Sequence, residues 1–445
     1  MATLSAPTHG FTGELLRPGD AAYDEARSVW NAMVDRRPRA IARCATATDV
    51  VAAVRLAREH DLELGVRCGG HNIVGLAVPD DGLMIDLRPM SRVRVDPQAR
   101  RAWVEGGALL GALDRATQTH GLATTAGNVS HTGVGGLTLG GGMGWLARRH
   151  GLACDNVLAF TVVTADGNVL RVSADEHPEL FWGLRGGGGN FGIVTEFEFR
   201  LHPIGTRTLV ADLSFGLDDA AEALAGWRDL AAQLPREATL TAEIGHERVD
   251  LGYVWVGEPA HGRRLLPALR AIGGRPICER VTEPSYLALQ TRDDSVEGHA
   301  VRRYWKGHYL PALPTGAIDA LLAGRGPGAD LPAVSLQSYG GAISDIPSEA
   351  SAFDHRGAQF EYVAAARWTD AREDRARMDV TRHCAATVEP FASGAYVNAL
   401  SDEGAGGVRR AYAPAKLARL TALKDIYDPE NIFHRNHNIA PRGAR

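Results

Sequence analysis

A histidine that directly follows a pair of glycines is the feature of this chain with the clearest chemical potential. Residues 67–72 read Arg-Cys-Gly-Gly-His-Asn and follow a short, largely apolar run at 62–66. Glycine pairs let a backbone approach a ligand closely and take positive φ. Successive amide N–H groups in such a turn form a concave anion site, which suits a pyrophosphate. The spacing therefore predicts that His71 is held against whatever group that pyrophosphate carries.

Two further blocks are rich in glycine. Residues 127–144 read Gly-Asn-Val-Ser-His-Thr-Gly-Val-Gly-Gly-Leu-Thr-Leu-Gly-Gly-Gly-Met-Gly, and residues 182–195 read Trp-Gly-Leu-Arg-Gly-Gly-Gly-Gly-Asn-Phe-Gly-Ile-Val-Thr. Neither block is a strand–GxGxxG–helix unit with a later acidic partner, and neither ends in Gly-Lys-Thr or Gly-Lys-Ser. A nicotinamide site and a phosphate loop are therefore not indicated. Three such blocks exceed what packing turns alone require, so we expect them to surround a ligand.

Together with residues 427–441, Tyr-Asp-Pro-Glu-Asn-Ile-Phe-His-Arg-Asn-His-Asn-Ile-Ala-Pro, these blocks carry a family resemblance. They resemble the flavin-binding domain of the vanillyl-alcohol-oxidase (PCMH-type) superfamily. Within it they are most similar to the berberine-bridge-enzyme-like oxidoreductases, especially the bacterial 6-hydroxy-nicotine-oxidase-like branch. The resemblance runs continuously over residues ~10–204 and returns at 427–441. It implies FAD as the cofactor and an α+β fold, in which a PCMH-type FAD-binding domain is joined to an α+β substrate domain.

The resemblance also implies how the flavin is held. The family position of His71 bonds covalently to the 8α-methyl carbon of the flavin, and a neutral imidazole suits that role near neutral pH. Many members carry a second link from a cysteine four residues before the first glycine of the Gly-Val-Gly-Gly motif. Here that position is Val129, which cannot form a thioether, while Cys68 and Cys154 occupy other places. We therefore expect a single link, through His71, and interpret Cys68 as a small buried thiol.

The residues that the resemblance places against FAD come from the three glycine blocks and the closing segment. They are His71, Arg67, Cys68, Gly69, Gly70, Asn72, Val129, Ser130, Thr132, Gly133, Gly135, Gly136, Gly140, Gly141, Gly142, Gly192, Ile193, Val194, Asn436 and Asn438. The amides of Asn436 and Asn438 are expected to hydrogen-bond the pyrimidine edge of the flavin and tune its electronics. The alternative is that both are ordinary loop asparagines.

The catalytic base is harder to assign. Sugar-oxidising relatives use two tyrosines, and their places here hold Met143 and Ala399, neither of which can take a proton. The glutamate base of the plant alkaloid branch also lacks a clear match, because the segment 360–368 puts alanines nearest that place. Tyr396 is the predicted catalytic residue, since Tyr396-Val397-Asn398 matches the family pattern. Other candidates for lining the pocket are Asn398, Glu361, Tyr362, Tyr339 and His308.

The predicted function is an FAD-dependent oxidase of a small molecule. A secondary metabolite, alcohol or amine would give up a hydride to flavin N5, and molecular oxygen would reoxidise the flavin to give hydrogen peroxide. The protein would position the substrate, remove a proton and tune the cofactor. Three alternatives stay open: a dehydrogenase that uses another acceptor, an oxidative cyclase of natural-product biosynthesis, and a non-catalytic flavin or ligand carrier. No metal site is expected.

Composition limits the classes of partner. At 445 residues the chain is longer than a single hydrophobic core usually supports, so two domains are expected. A net charge of −5 gives no reason to expect nucleic acid or an anionic membrane as a partner. The five cysteines, an odd number without metal-site spacing, indicate a reduced, cytoplasmic protein. The first ten residues lack the pattern of a signal peptide, no apolar run is long enough for a membrane span, and we expect a monomer or homodimer.

Hydrophobic periodicity and turn residues predict the elements that must position these motifs. In the first half, strands are expected at 62–66, 83–87, 92–95, 101–105, 156–164, 169–172 and 193–201, and helices at 46–60 and 108–119. In the second half, strands are expected at 207–214, 239–245, 250–256, 334–339 and 359–367, and helices at 218–233, 260–272, ~315–323 and ~370–387. This order predicts an antiparallel sheet covered on one side by helices. The expected domains are 1–204 for FAD, 205–400 for substrate, and a segment 401–445 that returns to the FAD domain.

Overall fold

The computed structural model describes residues 10–443, and it has the mixed helix and sheet composition that the sequence predicts. The strands are Glu14–Leu16, Ala40–Arg43, Leu64–Arg67, Leu83–Asp86, Val93–Asp96, Arg101–Glu105, Leu122–Ala123, Val157–Val163, Val169–Ser173, Ile193–Arg200, His202–Pro203, Thr208–Gly216, Ala238–Ile244, Arg248–Val256, Pro276–Thr282, Arg302–Leu310, Ala333–Ser338 and Phe360–Trp368. The prediction that the first ten residues are not a signal peptide concerns residues 1–9, which lie outside the described part of the chain, and residue 10.

Helices connect and cover these strands. The α-helices are Tyr23–Arg27, Ala47–Glu59, Leu110–Gln118, Val134–Leu139, Ala147–His150, Pro178–Leu184, Leu217–Leu230, Pro259–Gly262, Leu266–Arg270, Tyr286–Gln290, Thr315–Leu322, Ala342–Asp345, Asp374–Val388, Gly404–Ala411 and Pro414–Tyr427. Short 3₁₀ turns lie at Ala153–Asn156, Ala231–Gln233, Arg263–Leu265, Ser348–Ala350, Ala371–Glu373, Glu389–Phe391 and Val397–Ala399. None of the helices between residues 10 and 443 is both long and apolar enough to cross a membrane.

The histidine loop begins where a buried parallel strand ends. Leu64–Arg67 pairs in parallel with Leu83–Asp86, and on its other side Leu83–Asp86 pairs in parallel with Ala40–Arg43. The predicted helix over 46–60 is confirmed as Ala47–Glu59, with Thr46 as the capping residue, since Asp49 N donates to Thr46 Oγ1 over 3.1 Å. Its apolar face packs on this sheet, which fixes the point from which the loop departs.

A five-stranded antiparallel sheet forms the other half of the N-terminal region. The predicted hairpin is confirmed as Val157–Val163 and Val169–Ser173, and Gly167 in its turn has φ +81°. Ile193–Arg200 lies between Val157–Val163 and Arg101–Glu105, and its inward aromatic rings pack against Phe160. The last glycine block therefore leads directly into the central strand of this sheet.

The second half of the chain forms a seven-stranded antiparallel sheet with helices on one face. Its strand order starts at Pro276–Thr282 and ends with Ala333–Ser338, Phe360–Trp368 and Arg302–Leu310. Leu217–Leu230, Thr315–Leu322 and Asp374–Val388 cover one face, and the buried Trp227 stacks there on Phe360. This arrangement confirms the predicted helix-covered sheet. It leaves the opposite face of the sheet available to the glycine-rich loops.

The largest hydrophobic cluster joins parts of the chain that are distant in sequence. It contains residues of 102–201, residues of 339–358 and residues of 395–439, among them Leu420, Leu423 and Ile439. A second cluster is built from 209–391 and belongs to the seven-stranded sheet. The last part of the chain thus packs with the N-terminal core. The domain boundaries at 204 and 400 stay a prediction.

Candidate active site

Two of the predicted glycine loops touch each other backbone to backbone. A Cβ atom on Gly69 would lie 2.3 Å from Gly133 N, and a Cβ atom on Gly133 would lie 2.4 Å from Gly69 N. Since real side chains do not tolerate such contacts, both positions require glycine. Gly135 lies beside Cys68, whereas a side chain on Gly136 would meet no described atom within 4 Å. The loops 67–72 and 130–136 therefore form one glycine-lined wall with open space beside it.

The imidazole of His71 stands at the edge of this wall in an aromatic setting. Its ring stacks on Trp30, with ring centroids 4.8 Å apart and planes 15° apart. His71 Nε2 lies 2.8 Å from His131 Nδ1, which is a direct hydrogen bond between two imidazoles. Thr132 Oγ1 lies 3.5 Å from the other ring nitrogen, Nδ1. The ring of His299 completes the group, 5.3 Å from that of His131.

Burial keeps the His71 ring neutral. Desolvation lowers the pKa of His71 to about 3, and the neighbouring His131, His299 and Arg303 act in the same direction. Because an uncharged imidazole retains a lone pair on one nitrogen, His71 is a nucleophile throughout the physiological pH range. This is the protonation state that the sequence prediction for His71 requires.

The three histidines were not predicted to lie together, and no metal site was expected. One ligand atom from each of His71, His131 and His299 lies within 4.8 Å of the others, a spacing that could hold a metal ion. However, the 2.8 Å between His71 Nε2 and His131 Nδ1 is a hydrogen-bond distance. Two ligands of tetrahedral zinc, each 2.0–2.1 Å from the metal, are separated by about 3.3 Å. The described geometry is therefore that of a hydrogen-bonded pair.

Several predicted cofactor residues use their side chains inside the protein. Arg67 is buried with its guanidinium on Ala26 O, and desolvation lowers its pKa to about 10. Asn72 Oδ1 accepts from two backbone N–H groups of its own turn. Ser130 donates its N–H and its hydroxyl to the Asp294 carboxylate, over 2.9 and 2.6 Å. These polar atoms are therefore engaged within the protein, where they fix the shape of the two loops.

Cys68, interpreted from the sequence as a small buried thiol, is half-buried in the structure. Its Sγ lies 3.5 Å from Ala108 O, and desolvation raises its pKa to about 11. Each of the five cysteines, all within the described part of the chain, carries a free thiol. Cys154 is fully buried, and burial raises its pKa well above the usual value. A protonated thiol is a poor nucleophile, which agrees with a single flavin link.

The third block, Gly192 to Val194, lies behind the glycine wall. Ile193 and Val194 are 3% and 4% exposed. A Cβ atom on Gly106 would lie 2.3 Å from Val194 O, and one on Gly135 would lie 3.2 Å from Gly106 O. The backbone of Val194 thus packs against Gly106, which in turn packs against Gly135 of the glycine wall.

Tyr396 is anchored to the triple-glycine turn at 140–142. Its hydroxyl oxygen accepts hydrogen bonds from Gly142 N and from Asn398 Nδ2, each 2.8 Å long. Asn398 fits because a Cβ atom on Gly140 would lie only 2.2 Å from its Oδ1. Burial raises the pKa of Tyr396, so the phenol keeps its proton. That proton is free to be donated, since both described bonds use the oxygen as acceptor.

A carboxyl group lies close by, on the open face of the seven-stranded sheet. Tyr339 donates its hydroxyl proton to Glu361 Oε2 over 3.0 Å, and the hydroxyl of Tyr309 lies 3.3 Å from that of Tyr339. Glu361 lies deep in the molecule but keeps some accessible surface, as a residue lining a cleft does. Desolvation raises the pKa of Glu361 to about 7, against the opposing effect of the Tyr339 hydrogen bond.

A contact with the glycine-rich loop 127–142 shows which face of the sheet lines the cleft. Asn128 Nδ2 donates to Gln337 Oε1 over 3.2 Å, and Gln337 stands opposite Glu361 on the paired strand. Gln337 Nε2, Asn128 Oδ1 and Trp305 Nε1 are buried and have no hydrogen-bond partner among the described residues. Two hydrogen bonds thus connect the surroundings of Glu361 to loop 127–142: one joins Gln337 to Asn128, and the other joins Tyr396 to Gly142.

Two of the sequence candidates face the other way. His308 Nε2 lies 3.0 Å from Ala385 O, and Tyr362 OH donates to Cys384 O over 3.5 Å. Both acceptors belong to the helix Asp374–Val388, on the covered face of the sheet. Expecting His308 and Tyr362 to line the pocket was wrong, because their strand positions alternate with those of Tyr309 and Glu361.

The closing segment brings Asn436 and Asn438 to the same region. Ile439 N donates to Asn190 Oδ1 over 2.9 Å, and Arg435 Nε donates to Leu76 O over 3.0 Å. The segment thus joins the glycine run of 186–190 to the loop that follows His71. Asn436 Oδ1, Asn438 Oδ1 and His437 Nε2 are buried and accept or donate no hydrogen bond within residues 10–443.

These observations fit FAD. The glycine wall leaves open space beside Gly136, a neutral nucleophilic imidazole stands at its edge, and unpaired amide oxygens stand at the closing segment. Buried polar atoms are normally hydrogen-bonded, so these atoms indicate a polar ligand. The glycine wall would take the phosphates and the amides would take the polar edge of the ring system.

Comparison with known proteins agrees with this fit. The model of an FAD binding domain matches residues 38–173, and the model described as berberine and berberine like matches residues 395–440. The chain is 33% identical to (R)-6-hydroxynicotine oxidase of Paenarthrobacter nicotinovorans, over 100% of both chains. It is 28% identical to glucooligosaccharide oxidase of Sarocladium strictum, over 94% of this chain and 90% of the relative.

Solved structures show the same fold. The crystal structure of 6-hydroxy-D-nicotine oxidase from Arthrobacter nicotinovorans superposes with a TM-score of 0.88, at 30% identity over 97% of this chain and 98% of that one. Glucooligosaccharide oxidase from Acremonium strictum, described with a 6-S-cysteinyl, 8α-N1-histidyl FAD, gives 0.89 at 24% identity, over 97% of this chain and 97% or 98% of that one in its two structures. The chain belongs to the berberine-bridge-enzyme-like family of FAD-linked oxidoreductases with the PCMH-type fold, and it is a flavin oxidase.

Proposed function

We propose that the protein oxidises a small molecule, an alcohol, amine or secondary metabolite, with molecular oxygen as the electron acceptor and hydrogen peroxide as the second product. The observation that carries the proposal is the position of Glu361. This deep, partly accessible carboxyl group lies on the sheet face that meets the flavin-side loop, beside three tyrosines. FAD, when bound, supplies the two-electron chemistry. The side chains of this cleft supply binding, orientation and proton transfer.

The first role is that of His71, which attaches the cofactor through a single covalent link. Its support is the neutral ring of His71 at the edge of the glycine wall and the presence of Val129 at the place of the second link. The remaining predicted contacts, from the glycine turns to Asn436 and Asn438, would hold the cofactor without covalent bonds.

Glu361 is the residue that takes the substrate proton. Its raised pKa of about 7 gives a carboxylate that is available near neutral pH and is more basic than an ordinary one. Tyr339 holds this carboxylate by its hydroxyl, which leaves Glu361 Oε1 for the substrate. A base of this strength suits an O–H or N–H group whose proton is readily lost.

Tyr396, the catalytic residue expected from the sequence, has a complementary role. Its oxygen is fixed by Gly142 N and Asn398 Nδ2, so its own hydroxyl proton is the group that can be donated to a substrate oxygen or nitrogen. Tyr396 would thus hold the reacting group by a hydrogen bond while Glu361 removes the proton.

The substrate is not expected to be a simple sugar. Met143 and Ala399 hold the places of the two tyrosines that sugar-oxidising relatives use, and they are 7% and 5% exposed in the main hydrophobic cluster. Phenols, enols and protonated amines have protons that are easier to remove than that of an unactivated sugar hydroxyl. These classes are therefore the proposed substrates.

An anaerobic screen tests the proposal. The purified holoenzyme is mixed, without oxygen, with phenolic alcohols, hydroxylated aromatic amines, and glucose and cellobiose, while the visible absorbance of the flavin is followed. We expect at least one phenol or amine to bleach the flavin, and air to restore the absorbance with release of peroxide. Bleaching by the two sugars alone would contradict the proposed substrate class.

The same screen separates the alternatives. A flavin that is bleached but not reoxidised by air would indicate a dehydrogenase with another acceptor. A product with a new carbon–carbon bond would indicate an oxidative cyclase. A flavin that no compound reduces, in a protein that binds those compounds, would indicate a carrier.

A further inference from the structure

In the hydrogen bond between His71 and His131, two ring nitrogens share one hydrogen. Because His71 Nε2 and His131 Nδ1 are 2.8 Å apart, one of them carries a hydrogen and the other accepts it. His131 lies in the second glycine block, which the sequence identifies only as a cofactor loop. His71 is fixed by the stacked Trp30 on one side, so its ring cannot turn freely away from His131.

The state of this bond decides which nitrogen of His71 can react. If His71 Nε2 donates to His131 Nδ1, then the lone pair of His71 lies on Nδ1, which is 3.5 Å from Thr132 Oγ1. If the proton lies on His131 instead, the lone pair of His71 Nε2 is already used as an acceptor. Only the first arrangement combines an unprotonated His71 Nδ1 with a partner, His131, that can receive the Nε2 proton.

We propose that His131 is the positioning residue for covalent attachment of the cofactor: it accepts the Nε2 proton of His71 and so leaves His71 Nδ1 as the nucleophile. The inference rests on the proposed attachment through His71 and adds the residue that enables it.

The bonds and electrons of the step balance as follows. A bond forms between His71 Nδ1 and the 8α carbon, and one C–H bond of the methyl group and the Nε2–H bond of His71 break. Two electrons go to the bound cofactor and from there to dioxygen. The two released protons and those two electrons convert dioxygen into hydrogen peroxide. His131 receives the proton of His71.

A route for that proton is visible on the far side of His131. His131 Nε2 is buried and has no hydrogen-bond partner in the described part of the chain. The exposed His299 is the next imidazole, with ring centroids 5.3 Å apart, and the ligand nitrogens of the three histidines lie within 4.8 Å of one another. A gap of this size is the span of one bridging water. His299 therefore connects the buried pair to solvent.

The segment that carries His299 is held over this site by the protein. Asp294 accepts two hydrogen bonds from Ser130, and the Trp30 indole donates to Glu297 O over 2.6 Å. Arg303 donates to Gly298 O and to Trp30 O. Residues 294–299 thus close over the histidines from the side of the second half of the chain.

The test measures attachment and not turnover. The full-length chain is produced under riboflavin starvation, FAD is added, and the covalent fraction is followed by intact mass after acid denaturation. His131→Ala should still bind FAD but attach it at least roughly 10²-fold more slowly, as for loss of a general base. Added imidazole should restore part of the rate. His120→Ala, at an exposed histidine, serves as the control and should attach FAD at the wild-type rate.

A second variant guards against misfolding. In His131→Asn the amide oxygen can accept the Nε2 hydrogen but cannot carry the proton away, so attachment should be slow although the fold is kept. His299→Ala should slow attachment several-fold, and an unchanged rate there would remove the exit route. NMR of the isolated flavinyl peptide should show linkage at Nδ1.

Four outcomes would overturn the proposal. They are a wild-type rate in His131→Ala or, if that variant does not fold, in His131→Asn; a slow His131→Ala that imidazole leaves unchanged; linkage through Nε2; and stoichiometric zinc in the purified protein that disappears in His131→Ala. A wild-type protein with no covalent FAD would be a different failure, that of the attachment itself.

Discussion

Tyr309 and Glu361 stand directly opposite each other on the paired strands Arg302–Leu310 and Phe360–Trp368, so both side chains project from the same face of the sheet. Their hydroxyl and carboxyl groups are joined through Tyr339, at 3.3 and 3.0 Å. The ring of Tyr396 lies 6.3 Å from that of Tyr309. One carboxyl group thus shares a small space with three phenols, which makes its protonation state the variable on which activity should depend.

The first prediction concerns Glu361→Gln. The amide keeps the hydrogen bond to Tyr339 but cannot take a proton, so kcat/KM should fall by about 10²–10⁴-fold. For the wild type, the carboxylate forms as pH rises through the pKa of about 7, so kcat/KM should rise with pH and level off above it. This limb should vanish in the variant. Glu243→Gln, at an exposed carboxylate of the same sheet, is the control. An unchanged pH profile in Glu361→Gln would exclude Glu361 as the base.

The second prediction concerns Tyr396→Phe. The change removes the acceptor of Gly142 N and Asn398 Nδ2, and a buried donor left without a partner costs about 1–3 kcal/mol. We therefore expect a lower free energy of unfolding together with a lower kcat. The control is Tyr427→Phe, because the Tyr427 hydroxyl makes a single long contact, 3.4 Å to His177 Nδ1, near the surface. This variant should change the free energy of unfolding and kcat very little. Urea unfolding and steady-state kinetics measure the two effects separately. Wild-type kcat in a variant that is measurably less stable would remove Tyr396 from the chemistry.

The third prediction concerns the buried ion pair of Lys424 and Asp428. Both side chains are 0% exposed, and Lys424 Nζ also donates to Asn190 O and Phe433 O. Lys424→Ala would leave a buried carboxylate without its cation, which should cost about 3–5 kcal/mol of unfolding free energy. Arg419→Ala, in the same helix, breaks an exposed pair with Glu179 and removes the guanidinium from the face of the Trp182 ring, which together should cost no more than about 2 kcal/mol. Equal costs for the two variants in urea unfolding would contradict this account.

The fourth prediction concerns pH and stability at Asp114. Its side chain is buried, Gln290 Nε2 donates to it over 3.1 Å, and desolvation raises its pKa to about 7. In the unfolded chain the pKa is about 3.9, so the folded state holds the extra proton and loses stability as pH rises between about 4 and 7. Asp114→Asn should therefore match the wild type near pH 4. At pH 8 it should be more stable, by up to about 4 kcal/mol for a shift of three units.

Thermal unfolding across that pH range checks the prediction at Asp114. Asp319→Asn, at an exposed carboxylate in Thr315–Leu322, should show no such pH-dependent difference from the wild type. If Asp114→Asn were less stable than the wild type at pH 8, the prediction that the buried Asp114 carboxylate costs stability at that pH would be wrong.

The fifth prediction concerns the number of flavin links. Proteolysis of the wild type should give a single flavinylated peptide, containing His71. His71→Ala should retain FAD that acid releases, because the glycine wall stays intact, and Val129→Cys is the variant in which a second link becomes chemically possible. A flavin peptide that carries Cys68 or Cys154 in the wild type would contradict the single link.

The sequence predicted those parts of the fold that local pattern specifies. The strands Ala238–Ile244 and Phe360–Trp368 begin and end within one residue of the prediction, because both are rich in β-branched, aromatic and small residues, without a break by glycine or proline. The strand Arg302–Leu310 was missed: charged residues and Gly307 interrupt its pattern, and it is specified by pairing with Phe360–Trp368. The predicted helix over 260–272 is broken into short turns by Pro267 and Gly262.

For the site, motif and glycine content predicted the loops but not their partners. His131 was visible inside the second glycine block, yet its bond to His71 depends on the contact of Gly69 with Gly133, which no local pattern contains. Which of two alternating strand positions faces a cleft is also not local. For this reason the sequence offered Tyr362 and Glu361 together, and only the packing of Asp374–Val388 separates them.

The return of the closing segment sets an order on biosynthesis. Lys424 donates to Asn190 O and Asp428 accepts from Phe433 N, and these bonds hold the segment that carries Asn436 and Asn438 beside the glycine loops. During translation the N-terminal glycine wall leaves the ribosome hundreds of residues before these partners exist. A complete cofactor site can therefore form only after the closing segment 427–441 has been synthesised. Tight FAD retention should therefore report on the integrity of the segment 427–441, which carries the unpaired polar atoms of Asn436 and Asn438.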